Sequence, residues 1–358
     1  VGLGGELNNT ACVLLDDKAF ISQHIGDVEN IETKEFLKQS VNHLVRLTKS
    51  KVGTVACDLH PKFTTTTLAR ELADENGWQL IQVQHHYAHV AALMAEHNVD
   101  EIVGICCDGY GYGSDGEAWG GEILHCSRDI AGFQRIGHLE KQPLIGGDVA
   151  TRYPLRIAAG ILRDEPEIED WLLQNRDHFP HGYREVDIVL NQLKMKRGVT
   201  WTTSCGRVLD AAASILGVCY ERTYEGEPAM KLESLATKSK HFPRIEPVYQ
   251  GNILKTAPLL CNLFENKGRI PHTNLAHSAH IYMAEGLANL AIEGANAKGV
   301  KFIGFTGGVA YNEIMTLALR HIVESSGLKF LVHEVVPPGD GGTSFGQAVV
   351  AGFHESAQ

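Results

Sequence analysis

Two strands joined by a tight turn, then strands alternating with helices, open this chain; after about one hundred residues the same succession starts again. In the first pass, residues 11–15 and 19–22 read as a hairpin around Asp16-Asp17. A helix is predicted over 32–48, a strand over 52–57, a helix over 64–76, a strand over 80–83 and a helix over 85–97. The second pass opens with strands at 102–107, 118–126 and 133–139. It closes with a helix at 275–298, a strand at 302–306, a helix at 312–326, a strand at 330–333 and a helix at 343–354. At 358 residues the chain exceeds one ordinary hydrophobic core. The repeated pattern therefore predicts an α/β protein of two lobes with a cleft between them. The N-terminal lobe is expected over residues 1–100 and the C-terminal lobe over 101–358. A helix-rich stretch at about 148–245, carrying the charge run 163–170, interrupts the second copy as a helical insertion. Periodicity gives no strand order.

Thirty-two basic against 43 acidic residues leave a net charge of −11, which disfavours a broad nucleic-acid footprint. The longest apolar runs fall short of a bilayer span. Eight cysteines, none in a C-x-x-C pair and several inside apolar runs such as Ile105-Cys106-Cys107, fit reduced thiols in a cytoplasm. The sequence opens on Val1 rather than methionine, which points to an excised or processed piece.

His85 and His89 stand four apart where a strand gives way to a helix, so both rings lie on one helix face and can share a metal. With 18 histidines in the chain, about one such pair arises by chance, so spacing alone favours cap or core histidines over a metal. Asp108, at the end of an apolar strand, opens Asp108-Gly109-Tyr110-Gly111-Tyr112-Gly113; Asp340 lies in Pro337-Pro338-Gly339-Asp340-Gly341-Gly342 before the last helix. Carboxylates at strand ends are where α/β folds bind ligands, although an Asx turn and a helix N-cap explain the same residues. Two histidines with two carboxylates suit Zn²⁺ or Fe²⁺. Thr306-Gly307-Gly308-Val309-Ala310-Tyr311-Asn312 follows a strand and opens a helix, a site for phosphate or a tight turn. The Asp108–Gly113 run offers a second glycine-rich loop. Cys205 precedes a helix, as a buried structural thiol or one whose pKa is lowered.

Further motifs run through the chain in order: Gly4-Gly5-Glu6-Leu7, Ser22-Gln23-His24-Ile25-Gly26-Asp27, Asp58-Leu59-His60-Pro61, Trp119-Gly120-Gly121-Glu122, Ser204-Cys205-Gly206-Arg207 with Asp210, and Tyr224-Glu225-Gly226-Glu227. With the histidine string and the two loops, this set resembles the C-terminal carbamoyltransferase module of the hydrogenase maturation factor HypF. That module is related to the tRNA threonylcarbamoyl transferases and to antibiotic O-carbamoyltransferases. The resemblance spans residues 4 to about 350. It implies the two-lobed, duplicated actin/sugar-kinase/chaperone ATPase-like fold. It implies a metal, Zn²⁺ or Fe²⁺, held by His85, His89, Asp108 and Asp340. It also implies an adenine nucleotide contacting Gly109, Gly111, Gly206, Asp210, Gly226, Glu227, Gly307, Gly308 and Asn312. One departure stands out: Asn8 occupies a position where the family usually has lysine.

The activity so implied is carbamoyl transfer from carbamoyl adenylate, made by an upstream domain of HypF, to the C-terminal cysteine of the partner HypE. That step belongs to cyanide-ligand synthesis for [NiFe] hydrogenase. His86 is the candidate base, by position alone. The rival readings are a tRNA threonylcarbamoyl transferase, against which the acidic charge weighs, and a non-catalytic nucleotide-binding scaffold.

Overall fold

The computed structural model describes residues 1–128, 132–195 and 197–356. In the first lobe, β1 (Cys12–Leu15) and β2 (Lys18–Ile21) form the expected antiparallel hairpin, and β3 (Thr54–Asp58) and β4 (Gln79–Val83) run parallel. The sequence pattern misses the strand that joins them. Residues 1–3 are too short to show a period, yet Gly2 bridges Cys12 on one side and Ala56 on the other. The order is thus β2, β1, residues 1–3, β3, β4. Between β2 and β3 runs α1 (Ile31–Thr48), whose N-cap Asn30 accepts from the Thr33 amide; α2 (Thr64–Asn76) crosses from β3 to β4, and α3 (His85–Glu96) follows.

The second lobe repeats that topology. Its sheet orders β7 (Gly132–Leu139), β6 (Ala118–Ser127), β5 (Glu101–Tyr112), β12 (Phe302–Thr306) and β13 (Lys329–Leu331). The first three are antiparallel and β12 joins β5 in parallel. The long α11 (His272–Lys298) precedes β12, α12 (Glu313–Ser325) links β12 to β13, and α13 (Thr343–Ser356) closes the chain. Two copies of one five-stranded order, each with a helix after its third, fourth and fifth strands, make this a duplicated actin-like α/β fold.

Between β7 and α11 the second copy is interrupted. The insertion is richer in strands than its sequence suggests. β8 (Gln142–Ile145) pairs with β9 (Val199–Thr202) across more than fifty residues, while β10 (Tyr249–Gln250) and β11 (Ile253–Leu254) extend the main sheet beyond β7. Its helices are α4 (Asp148–Arg152), α5 (Leu155–Ile161), α6 (Ile168–Gln174), α7 (Tyr183–Met195), α8 (Cys205–Ile215), α9 (Glu227–Ala236) and α10 (Ala257–Asn266).

Helix α3 is apolar on every side from Val90 to Met94, which demands burial all round. It lies against β5, β6 and β12 of the second lobe, and α13 in return packs on β1 and β3 of the first. The two helices cross in close contact: a Cβ at Gly346 would stand 1.8 Å from the Ala88 carbonyl oxygen. All eight cysteines are free, and all but Cys261 are buried. No helix among the described residues is long and apolar enough to cross a membrane.

His280, buried in the first third of α11, donates from Nδ1 to the Ala276 carbonyl at 2.7 Å, and burial pushes its pKa down to about 4. In the unfolded chain it titrates near ~6.5. The unfolded state therefore binds the extra proton between those values, and stability is lost as pH falls from about 6.5 towards 4. His280→Leu should flatten that acid loss in denaturant titrations at stepped pH; an unchanged slope would count against it.

Candidate metal centre in the interlobe cleft

Four side chains from both lobes converge where α3 starts. Gln84 caps this helix, its Oε1 accepting from the Tyr87 amide at 2.9 Å, so that His85 and His89 point the same way one turn apart. Asp108 arrives from β5. The glycine-rich run expected to be a loop is instead strand as far as Tyr112, with a bulge between Cys107 and Gly111 that turns Asp108 into the cleft. Asp340 arrives from the loop preceding α13.

His85 Nε2 lies 3.5 Å from Asp108 Oδ2 and 3.4 Å from Asp340 Oδ1; His89 Nε2 lies 3.1 and 3.7 Å from the same two atoms. All four donor atoms fall within 4.8 Å of one another. A tetrahedral Zn²⁺ with bonds near 2.1 Å separates its ligands by about 3.4 Å, a value these four distances bracket. His85 Nε2, His89 Nε2 and Asp108 Oδ2 are buried without a hydrogen-bond partner among the described residues. Leaving such atoms unmet is costly, and a cation meets all three at once. The donor set fits a divalent metal.

Electrostatics agree. Burial alone would lower His85, but Asp340, Asp58 and Asp108 outweigh it and hold the ring well above its ordinary value; His89 is raised by Asp108 and Asp340 against the same burial. Burial would raise Asp108, yet His85 and His89 hold it well below the carboxylate range, and His85 and His89 lower Asp340 likewise. Both carboxylates are therefore ionised, as ligands must be, and the proton they favour on the histidines is the charge that a bound cation displaces.

Sequence reasoning left Asp58 without a role. At the end of β3 it sits 2.7 Å from His85 Nδ1, which fixes the tautomer that turns Nε2 towards the centre. Its signal was the Asp58-Leu59-His60-Pro61 motif at a strand end, the placement that singled out Asp108. Gly5 is also part of the wall: a Cβ there would lie 3.4 Å from Asp340 Oδ2.

The residues expected at a nucleotide divide into groups. Gly109, Gly206, Gly307 and Gly308 gather around Asp108. A Cβ on Gly206 would stand 3.1 Å from Gly109 Cα, one on Gly308 3.1 Å from Asp108 Oδ1, and one on Gly307 2.3 Å from the Cys107 carbonyl. Ser204, the N-cap of α8, ties this wall together, its Oγ 2.7 and 2.8 Å from the carbonyls of Asp108 and Gly109. One turn into α8, Asp210 is fully buried and pairs with Arg207 at 2.7 Å. Gly226 caps α9 at φ 74°. Glu227 and Asn312 are engaged locally. Glu227 accepts from Thr223 and Lys231, and Asn312 caps α12 by accepting from the Met315 amide. Gly111 answers to a protein neighbour, because its Cβ would meet the His86 ring at 2.4 Å.

His86 itself is wholly buried, and burial keeps its ring neutral, well below the ordinary pKa. Gln84 Nε2 donates to its Nδ1 at 3.0 Å, which leaves the proton on Nε2. That tautomer donates a hydrogen bond and abstracts no proton at Nε2, so the expectation of a base gives way to a donor.

Fold and site together define an actin-like α/β protein with a two-histidine, two-carboxylate centre in its cleft. A family model described as "HypF Kae1-like domain" matches residues 1–96, and one described as "Carbamoyltransferase, Kae1-like Domain, second subdomain" matches residues 104–347. The chain belongs to the HypF carbamoyltransferase family, to its Kae1-like portion. The probable carbamoyltransferase HypF of Methanocaldococcus jannaschii is 42% identical over 97% of this chain and 45% of its own length. A carbamoyltransferase HypF homolog of Cupriavidus necator is 34% identical over 99% of this chain and 91% of its own. The crystal structure of T. kodakarensis HypF superposes with a TM-score of 0.92 at 38% identity, over 99% of this chain and 47% of that one. Full-length HypF in a phosphate- and nucleotide-bound form gives 0.89 at 32%, over 97% and 45%. The chain spans about half the length of most of these relatives.

Proposed function

We propose that this chain transfers a carbamoyl group from carbamoyl adenylate to a cysteine thiolate, the acceptor being the C-terminal cysteine of HypE. The convergence of His85, His89, Asp108 and Asp340 at the glycine-walled cleft of a HypF-family module carries this reading. A Zn²⁺ or Fe²⁺ held by those four would polarise the carbamoyl oxygen.

The chain's own groups do the rest. Backbone at Gly109, Gly206, Gly307 and Gly308 comes close enough to line the phosphate of the adenylate without side chains in the way. Asp210, buried against Arg207, orients that guanidinium beside Gly109 at the same wall. The buried His86 Nε2–H has no partner among the described residues and is left to donate to a bound group. The sulfur attacks the carbamoyl carbon, the bond from that carbon to the phosphate oxygen breaks, and AMP leaves with the electron pair. A thiolate is nucleophilic near neutral pH without a strong base, which accords with a site whose best-placed free histidine is a donor. An acidic chain repels the phosphates of an RNA acceptor more than it repels a flexible peptide tail.

Supplied with carbamoyl adenylate, the 358-residue chain should carbamoylate a HypE tail peptide at its cysteine, read by mass spectrometry, and Asp340→Ala should abolish the transfer. Modification of tRNA with an untouched peptide would instead favour the threonylcarbamoyl transferase reading. Tight nucleotide binding without transfer to either would favour a scaffold.

A further inference from the structure

Helix α3 carries the two histidines in its first turns and a carboxylate, Glu96, as its last residue. A negative side chain there faces the negative end of the helix dipole and is disfavoured unless something else holds it. The loop leading to Asp340 does so. Glu96 Oε1 accepts the backbone N–H groups of Glu334, Val335 and Val336 at 2.9, 2.5 and 3.2 Å, and Oε2 accepts from His333 Nδ1 at 2.7 Å. All four donors belong to the segment that leaves β13 and reaches Asp340 through Pro337-Pro338.

The contact continues inward. Burial keeps His333 neutral, its pKa pushed down to about 4 despite Glu96. With the proton on Nδ1, Nε2 accepts from the Thr306 hydroxyl at 2.9 Å. Thr306 ends β12, and the next residue, Gly307, donates its N–H to the Pro338 carbonyl at 2.9 Å. One carboxylate thus ties α3 to the Asp340 loop and to the glycine turn beside Asp108. Val335 in this loop is 88% exposed, while its neighbour Val336 is buried among apolar residues of α3 and α13, so Glu96 shares the anchoring of the loop with one apolar side chain.

We propose that Glu96 is the positioning residue of the metal centre: it fixes the Asp340 loop against α3, so that the fourth ligand stands in register with His85 and His89 before any metal arrives. Helix α3 is the common spacer, with Glu96 eleven positions after His85 along about 16 Å of rigid helix. The inference rests on the reading of His85, His89, Asp108 and Asp340 as metal ligands.

Zinc affinity of the full chain, measured by chelator competition, and amide hydrogen exchange of residues 334–336 in metal-free protein test it together. Glu96→Ala should weaken zinc binding about tenfold or more, as loss of groups that orient ligands does, and should expose those amides to exchange. Glu96→Gln should stay within about threefold of wild type, because its amide oxygen still accepts the backbone donors and its NH₂ meets His333 once that ring moves its proton to Nε2. In an Asp340→Ala background, Glu96→Ala should cost less than about twofold, since the residue it acts through is gone. An equal loss with and without Asp340, a Glu96→Gln variant as weak as Glu96→Ala, or wild-type affinity in Glu96→Ala would each overturn the proposal. Wild-type protein that binds neither zinc nor iron would overturn the metal reading itself and this inference with it, a failure distinct from one confined to the Glu96 variants.

Discussion

His89→Ala should leave the protein folded and nearly metal-free. Structural zinc binding is worth roughly 10–16 kcal/mol over four ligands, so one ligand accounts for about 3 kcal/mol, or two powers of ten in affinity. The loss here also strips Asp108 Oδ2 of its nearest histidine neighbour, 3.1 Å away, and leaves the buried Asp108 and the half-buried Asp340 facing each other across His85. Elemental analysis of protein purified without chelator should give close to one Zn or Fe per chain for wild type and for the exposed-histidine control His43→Ala, and far less for His89→Ala. Equal metal content in all three would contradict the assignment.

Gly346→Ala is expected to be the most destabilising single methyl in the chain. Its Cβ would sit 1.8 Å from the Ala88 carbonyl oxygen, and that oxygen belongs to a helix packed on both lobes, so neither side can yield cheaply. Overpacking of this kind costs about 3 kcal/mol. The damage falls on the site as well, because Ala88 lies between His85 and His89 and α13 begins just after Asp340. Gly268→Ala, which meets nothing within 4 Å, is the matched control. Chemical denaturation should show a lower midpoint for Gly346→Ala and an unchanged one for Gly268→Ala. Equal midpoints would show that the two helices are free to part.

What the sequence made legible depended on how local the signal was. The spacing of His85 and His89 is a property of one helix, and Asp108 and Asp340 stand at or beyond strand ends, so local signals nominate all four; the resemblance to the HypF module is what joins them as one ligand set. Asp58 could not be placed, since its bond to His85 joins residues 27 apart that meet only when β3 and α3 pack. The bulge at Cys107–Gly111 was hidden for another reason: glycines read equally as a loop or as a strand that must pass under a ring, and here the His86 ring decides. Residues 1–3 are too few to show a strand period, and β8 and β9 are partners only across the insertion. The crossing of α3 and α13 is equally non-local, although Gly346 in an otherwise helical pattern marks where two backbones approach.

The central claim is that a duplicated fold brings one pair of ligands from α3, one carboxylate from the bulged strand β5 and one from the loop before α13 to a single ion in the cleft. Anomalous diffraction at the zinc and iron edges, from crystals of the protein as purified, tests it most directly. One peak is expected among His85 Nε2, His89 Nε2, Asp108 and Asp340, at about 2.0–2.2 Å from each. A peak seated elsewhere, or one that excludes Asp340, would contradict the account.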